Sequence, residues 1–189
     1  KKKMPNLGEE ICGEYLQHIK TCEFLAYNVI NPDAQGEIDV IGITLKEKTV
    51  YVCEVAVHTS GLQYVTEKRP DDYNRFKAKL DKDIQYAKKY FKGYTIIPMI
   101  WSPIVKISGI KAKYNTLKEL ERVKTYIKNT YNLDLHLVIN ASFKDAIEKL
   151  KEHTDTKTAE FKSNVMRMFQ IERRLEKHLA TINKKSGPK

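Results

Sequence analysis

The sequence predicts an α/β protein whose mixed central β-sheet is flanked by helices, with a helical extension at the C-terminal end. Three observations carry that expectation. Two Val- and Ile-rich runs, residues 36–45 and 49–58, are joined by the charged turn Lys46-Glu47-Lys48, as the arms of a hairpin would be. The run YTIIPMIWSPIV, residues 94–105, is almost continuously apolar, the pattern of a strand buried on both faces. Later strand candidates alternate with amphipathic helices, which sets helices on both faces of one sheet.

Taken in order, residues 7–19 have a helical pattern, with Ile11, Cys12, Tyr15, Leu16 and Ile19 on one apolar face and Glu9 at its edge. Residues 23–30 form a short strand ending at the turn NPDAQG, and the hairpin follows. Residues 70–91 make a long charged helix that buries Phe76, Leu80, Ile84 and Ala87. The apolar run at 94–105 is the fourth strand, with Pro98 and Pro103 marking its ends or a bend. A helix over 115–130, a strand over 133–139, and helices over 142–153 and 159–182 complete the order αβββαβαβ plus extension. The polar stretch HTDTKT at 153–158 suggests two parts, residues 1–153 and a basic C-terminal helix and tail, 154–189. The second is either an extension of the same domain or a dimerisation element.

Composition narrows the classes of function. The 189 residues carry 34 Lys or Arg against 24 Asp or Glu, a net charge of +10, which favours polyanions such as nucleic acids. No apolar run approaches the roughly 20 residues of a membrane span, and no signal-peptide pattern opens the chain. A soluble, cytoplasmic protein without a membrane partner is therefore expected. Cys12, Cys22 and Cys53 fit neither a disulfide framework nor a zinc site, and are expected as small buried apolar residues.

Two acids stand out because both lie among apolar strand residues, Asp39 in EIDVIG and Glu54 in YVCEVAV. Acids inside strands are costly unless partnered. If the hairpin pairs through its turn, Asp39 and Glu54 meet at its open end, where two carboxylates repel unless a cation or shared proton intervenes. Carboxylate oxygens, joined by the Val55 backbone carbonyl, are the hard donors that Mg²⁺ prefers. A cation held there would activate water and neutralise charge on a scissile phosphate. Surface acids paired with lysines are the competing reading.

At these residues the sequence resembles the PD-(D/E)xK nuclease superfamily, and within it looks most similar to archaeal Holliday-junction resolvases and small bacterial YraN-type proteins. Gly8-Glu9 matches the helix motif, GEIDVIG the Asp motif at Asp39, and VYVCEVAVH the third motif at Glu54. The resemblance covers residues 7–105 and implies a restriction-endonuclease-like core. It also implies Mg²⁺, or Mn²⁺ in its place, on Asp39 and Glu54, with Glu9 orienting a metal-bound water or completing the site. The family lysine falls at Ala56, which can neither activate water nor stabilise a pentacovalent phosphate. Four readings stand open: a chain inactivated by one substitution, a migrated group, catalysis by metal ions alone, or a natural pseudo-nuclease. His58, or Lys68, Lys77 or Lys79, would supply a migrated group, His58 as a general base. His18, His136, His153 and His178 form no ligand spacing. Gln85 and Tyr90 are similar to a Gln-x-x-x-Tyr helix motif of exonuclease-like branches, with the spacing one residue too long.

The polar loop HTSGLQYVTEKRP offers Ser60, Gln63, Lys68 and Arg69 as DNA-backbone contacts, with Tyr64 against a sugar or over the core. From residue 151 onward ten basic residues face five acidic ones. Val165, Met168, Phe169, Ile171 and Leu175 form a broad apolar face for the core or for a second subunit, and NKKSGPK reads as a flexible basic tail. The expected function is a metal-dependent DNA endonuclease acting on double-stranded or branched DNA, restriction-like or structure-selective, possible as a homodimer. The alternatives are a catalytically silent nucleic-acid-binding module on the same fold and a nuclease acting on RNA.

Overall fold

The computed structural model describes residues 4–109, 112 and 114–185. Lys1 to Lys3 and most of the basic tail at 183–189 lie outside the described residues. The elements run α1 (Leu7–His18), β1 (Phe24–Ile30), β2 (Glu37–Thr44), β3 (Thr49–Val55), β4 (Val65–Thr66), β5 (Arg69–Pro70), α2 (Asp72–Tyr90), β6 (Thr95–Ser102), α3 (Thr116–Tyr131), β7 (His136–Ile139), α4 (Asn140–Thr154) and α5 (Asn164–Lys185). Five strands form one mixed sheet in the order β1-β2-β3-β6-β7. The first three are antiparallel neighbours, while β3-β6 and β6-β7 pair in parallel. The α/β class and the flanked mixed sheet are thus as the sequence predicts. No helix among the described residues is long and apolar enough to cross a membrane.

The sheet separates two apolar layers. Ile11, Leu16, Val40, Cys53, Trp101 and Phe143 pack beneath α1, α4 and the start of α5. Phe76, Leu80, Ile84 and Ile100, with Leu120, Val123 and Ile127, fill the other side beneath α2 and α3. All three cysteines are buried and unpaired by disulfides, as their spacing suggests.

Several boundaries differ from the expected ones for local reasons. The strand read over 49–58 stops at Val55, so Ala56 and His58 do not continue a regular strand face. Arg69–Pro70 pairs with Val65–Thr66 in a two-stranded ribbon that the sequence pattern did not suggest. Its turn residues Glu67 and Lys68 both have positive φ, 49° and 62°, as a two-residue hairpin turn requires. That ribbon delays the start of α2 to Asp72. Pro98 sits within β6, opposite Val52, rather than at its end. Trp101 C=O accepts from Ala56 N–H just past the end of β3, so strand alternation turns position 98 toward β7, whose pairing begins only at Met99. The missing proline N–H therefore costs no ladder bond.

The last helix begins at Asn164 rather than 159. Phe161, Val165, Met166 and Phe169 belong to the same buried cluster as Trp101, and Gln170 ties Phe161 N–H and the Lys157 and Ala159 carbonyls together. The polar stretch at 153–158 thus leads into a docked helix. The apolar face read from the sequence divides: Val165 and Phe169 are buried, while Met168, Ile171 and Leu175 are exposed.

Candidate active site

Asp39 and Glu54 meet at the open end of the β2-β3 hairpin. The ladder runs Val40↔Cys53 and Ile41↔Val52, and one step further Asp39 Oδ2 accepts the Val55 N–H at 2.8 Å. Both acids are buried, Glu54 fully and Asp39 to 8% exposure. Glu54 Oε2 takes the ammonium of Lys79, which reaches it from α2. Glu54 Oε1 has no hydrogen-bond partner, and neither oxygen of the buried Asp83 has one. Asp83 lies one helical turn after Lys79 on α2, with Lys82 Nζ 3.6 Å from its Oδ1.

Charge and burial shape these groups together. Burial first, and then the charge of Glu54, push the Asp39 carboxyl up to about 6 from an ordinary 3.8, although Lys79 and the Val55 N–H pull it down. Burial opposes the charge of Lys79, but Glu54, Tyr64 and Asp39 outweigh it and hold the ammonium above the usual lysine range. Asp83 is pushed well up by burial and by Glu54.

Ala56 occupies the position of the expected lysine and is 3% exposed. It belongs to the apolar layer of Phe76, Leu80 and Ile100 under α2. The cation that meets Glu54 therefore descends from the helix rather than standing on the strand. Of the other candidates for that role, Lys77 pairs with Asp81 and lies over Tyr126, and Lys68 is at the exposed β4-β5 turn. His58 is exposed beyond the strand end, and the contacts to the two acids come from Val55 and Lys79 instead.

Glu9 is buried to 2% exposure. Its carboxylate accepts from Asn6 N–H at 3.0 Å and from Asn28 Nδ2 at 3.1 Å, closing a capping box at the start of α1. Asn28 has a φ of 50° inside β1, and this local break turns its amide toward the helix. The negative charge of Glu9 also contributes to raising Asp39, so Glu9, Asp39 and Glu54 share one neighbourhood.

A cleft of about 250 Å³ opens beside Lys79, lined by Gln35, Tyr64, Arg75, Ala78, Lys79 and Lys82. Tyr64 is fixed there: its N–H donates to Asp72 Oδ1 at 2.6 Å, and its ring stands edge-on to Phe76. Ser60, Gln63, Lys68 and Arg69 are exposed on the loop and ribbon leading into this cleft wall. A larger groove of about 630 Å³ runs along Tyr73, Leu117, Arg122 and Tyr126 between α2 and α3 and contains none of these acids.

Among the described residues no group of three His, Cys, Asp or Glu side chains converges as a ready metal cage. The donor set that fits is smaller: two carboxylates and the Val55 carbonyl, with Glu54 Oε1 still unpartnered. Mg²⁺ accepts such a set because water and substrate phosphate oxygens fill its remaining positions. Sequence reasoning passed over Asp83 and Asn28. The available signal for Asp83 was an acid on the helix face of Leu80, Ile84 and Ala87; nothing in the strand pattern marked Asn28. Comparison with protein-family models, curated proteins and solved structures found no match.

Proposed function

We propose that this protein is a Mg²⁺-dependent DNA endonuclease of the PD-(D/E)xK type, acting as a restriction-like or structure-selective enzyme. One observation carries the reading. A lysine from α2 reaches the buried Glu54, which stands beside Asp39 at the end of a strand pair. Asp39, Glu54 and the Val55 carbonyl would hold the cation, which supplies an activated water and neutralises charge on the phosphate. Lys79 takes the role of the strand lysine absent at Ala56, placing a positive charge where the pentacovalent phosphate gains negative charge. Asp39, ionised above about pH 6 in the free protein, holds its place through the Val55 N–H. Arg75, Lys82 and the exposed Lys68 and Arg69 receive flanking phosphates, and Tyr64 closes one wall of the cleft.

Plasmid and branched DNA incubated with Mg²⁺ or Mn²⁺ test the reading. Cleavage is expected, and Asp39→Ala, Glu54→Ala and Lys79→Ala should each abolish it. Cleavage that survives the two carboxylate changes refutes the assignment. The closed Lys79–Glu54 contact favours a second reading, a silent DNA-binding module in which the ion pair is purely structural. That module binds DNA with a steep salt dependence and cuts under no metal condition.

A further inference from the structure

Helix α5 carries two apolar faces, and its own fold covers one of them. With 3.6 residues per turn, Val165, Met166, Phe169 and Gln170 lie on one side of the helix, and all are buried. Met168, Ile171, Leu175 and Leu179 lie close to the opposite side and are 67%, 60%, 52% and 48% exposed. Their spacing of three, four and four residues is that of a helix-pairing seam. From 171 to 184 no residue is buried, so this half of α5 projects past the core. A lone helix of that length is marginal in water unless its apolar stripe is covered.

The flanks of the stripe say what covers it. Arg167 and Arg174 border one edge, and Glu172 and Glu176 border the other. We propose that the occupant is a second copy of this chain, the two α5 helices packing in parallel through Met168, Ile171, Leu175 and Leu179. A two-fold axis along parallel helices sets the basic edge of each against the acidic edge of its partner, whereas an antiparallel pair opposes like charges. The stripe is self-complementary in that one arrangement. The present partners of these charges are surface ones, Glu160 for Arg167, Lys151 for Glu172 at 3.0 Å, and Arg173 for Glu176 at 3.4 Å. Such pairs contribute little and exchange readily. The buried face of α5 keeps each domain on the outer side, so the pairing leaves the fold unchanged. This inference is independent of the nuclease reading.

Sedimentation velocity on the full chain across the micromolar range tests it, with circular dichroism and melting temperature reporting the fold. The native chain is expected to be dimeric. Leu175→Glu should raise the dissociation constant by roughly tenfold or more by placing two carboxylates in the seam. Glu172→Lys with Glu176→Lys should weaken the dimer by making both edges basic. Adding Arg167→Glu and Arg174→Glu should restore it, because the reversed edges again complement each other. If Leu175→Glu unfolds the chain, the edge reversal and its restoration decide. A monomer at every concentration, or a dimer indifferent to both sets of changes, overturns the proposal.

Discussion

Replacing Asp39 with Asn should make the metal-free protein more stable at pH 8 while abolishing its response to Mg²⁺. In the fold the Asp39 carboxyl keeps its proton up to about pH 6, against an ordinary value of 3.8. Between those values the folded protein binds more protons than the unfolded chain. The stabilisation is complete below about pH 4, is lost as pH rises through 6, and leaves a cost of about 3 kcal/mol above it. Asn removes the charge and keeps a carbonyl oxygen for the Val55 N–H. Burying the amide and losing the attraction of Lys79 take back part of the gain, leaving about 2 kcal/mol, or a melting temperature higher by about 4–8 °C. The assay is thermal unfolding of both proteins at pH 4 and pH 8, with and without Mg²⁺. At pH 4 the difference should vanish. The native protein should gain about 2.7 kcal/mol at a hundredfold excess of Mg²⁺ over its dissociation constant, and the Asn variant almost nothing. A variant less stable than the native protein at pH 8, or one equally stabilised by Mg²⁺, would refute the account of Asp39 as a strained ligand awaiting a cation.

Lys79→Ala should cost about 1–3 kcal/mol, because it leaves Glu54 buried without its cation while Lys79 itself is partly in water, and it should eliminate DNA cleavage at unchanged DNA affinity. Ala56→Lys should destabilise by about 3 kcal/mol by overpacking the layer of Phe76 and Leu80, and it should not raise cleavage; urea unfolding and a plasmid assay read the two effects. Lys68→Ala and Arg69→Ala should each lower the slope of log affinity against log salt by about 0.9 if each meets a phosphate, measured by fluorescence anisotropy on duplex DNA. Gly8→Ala should destabilise by about 1–3 kcal/mol, since its new methyl would collide with a Val57 methyl where α1 crosses the end of β3.

Much of this architecture is legible in the sequence because each sheet strand has a strong local pattern. The β2-β3 hairpin follows from two β-branched runs and a charged turn, and Asp39 and Glu54 are conspicuous as acids within them. The β4-β5 ribbon was not legible, because two residues per strand carry no periodicity and its turn uses Glu67 and Lys68 where Asn-Gly would have been the signal. From sequence Pro98 marks either an end of the strand or a bend, because its tolerance inside the strand depends on how far β7 extends, which is a tertiary fact. Choosing Lys79 over Lys68, Lys77 or His58 required knowing which face of α2 lies over Glu54. Helical spacing alone gives a face but not its rotation about the sheet.

A lysine two residues along the same strand would be tied to its neighbouring carboxylate by only six covalent bonds of backbone between their Cα atoms. Lys79 has no such tether: its distance from Glu54 depends on how α2 is seated on Phe76, Leu80 and Ile84. Slight trimming of those remote side chains would let the helix settle or tilt, and the charge with it. In the nuclease proposed above, the interior packing beneath one helix therefore acts as a calibration of the reactive centre. Changes there should register in turnover before they register in global unfolding, as expected when a small misplacement costs far more in rate than in stability.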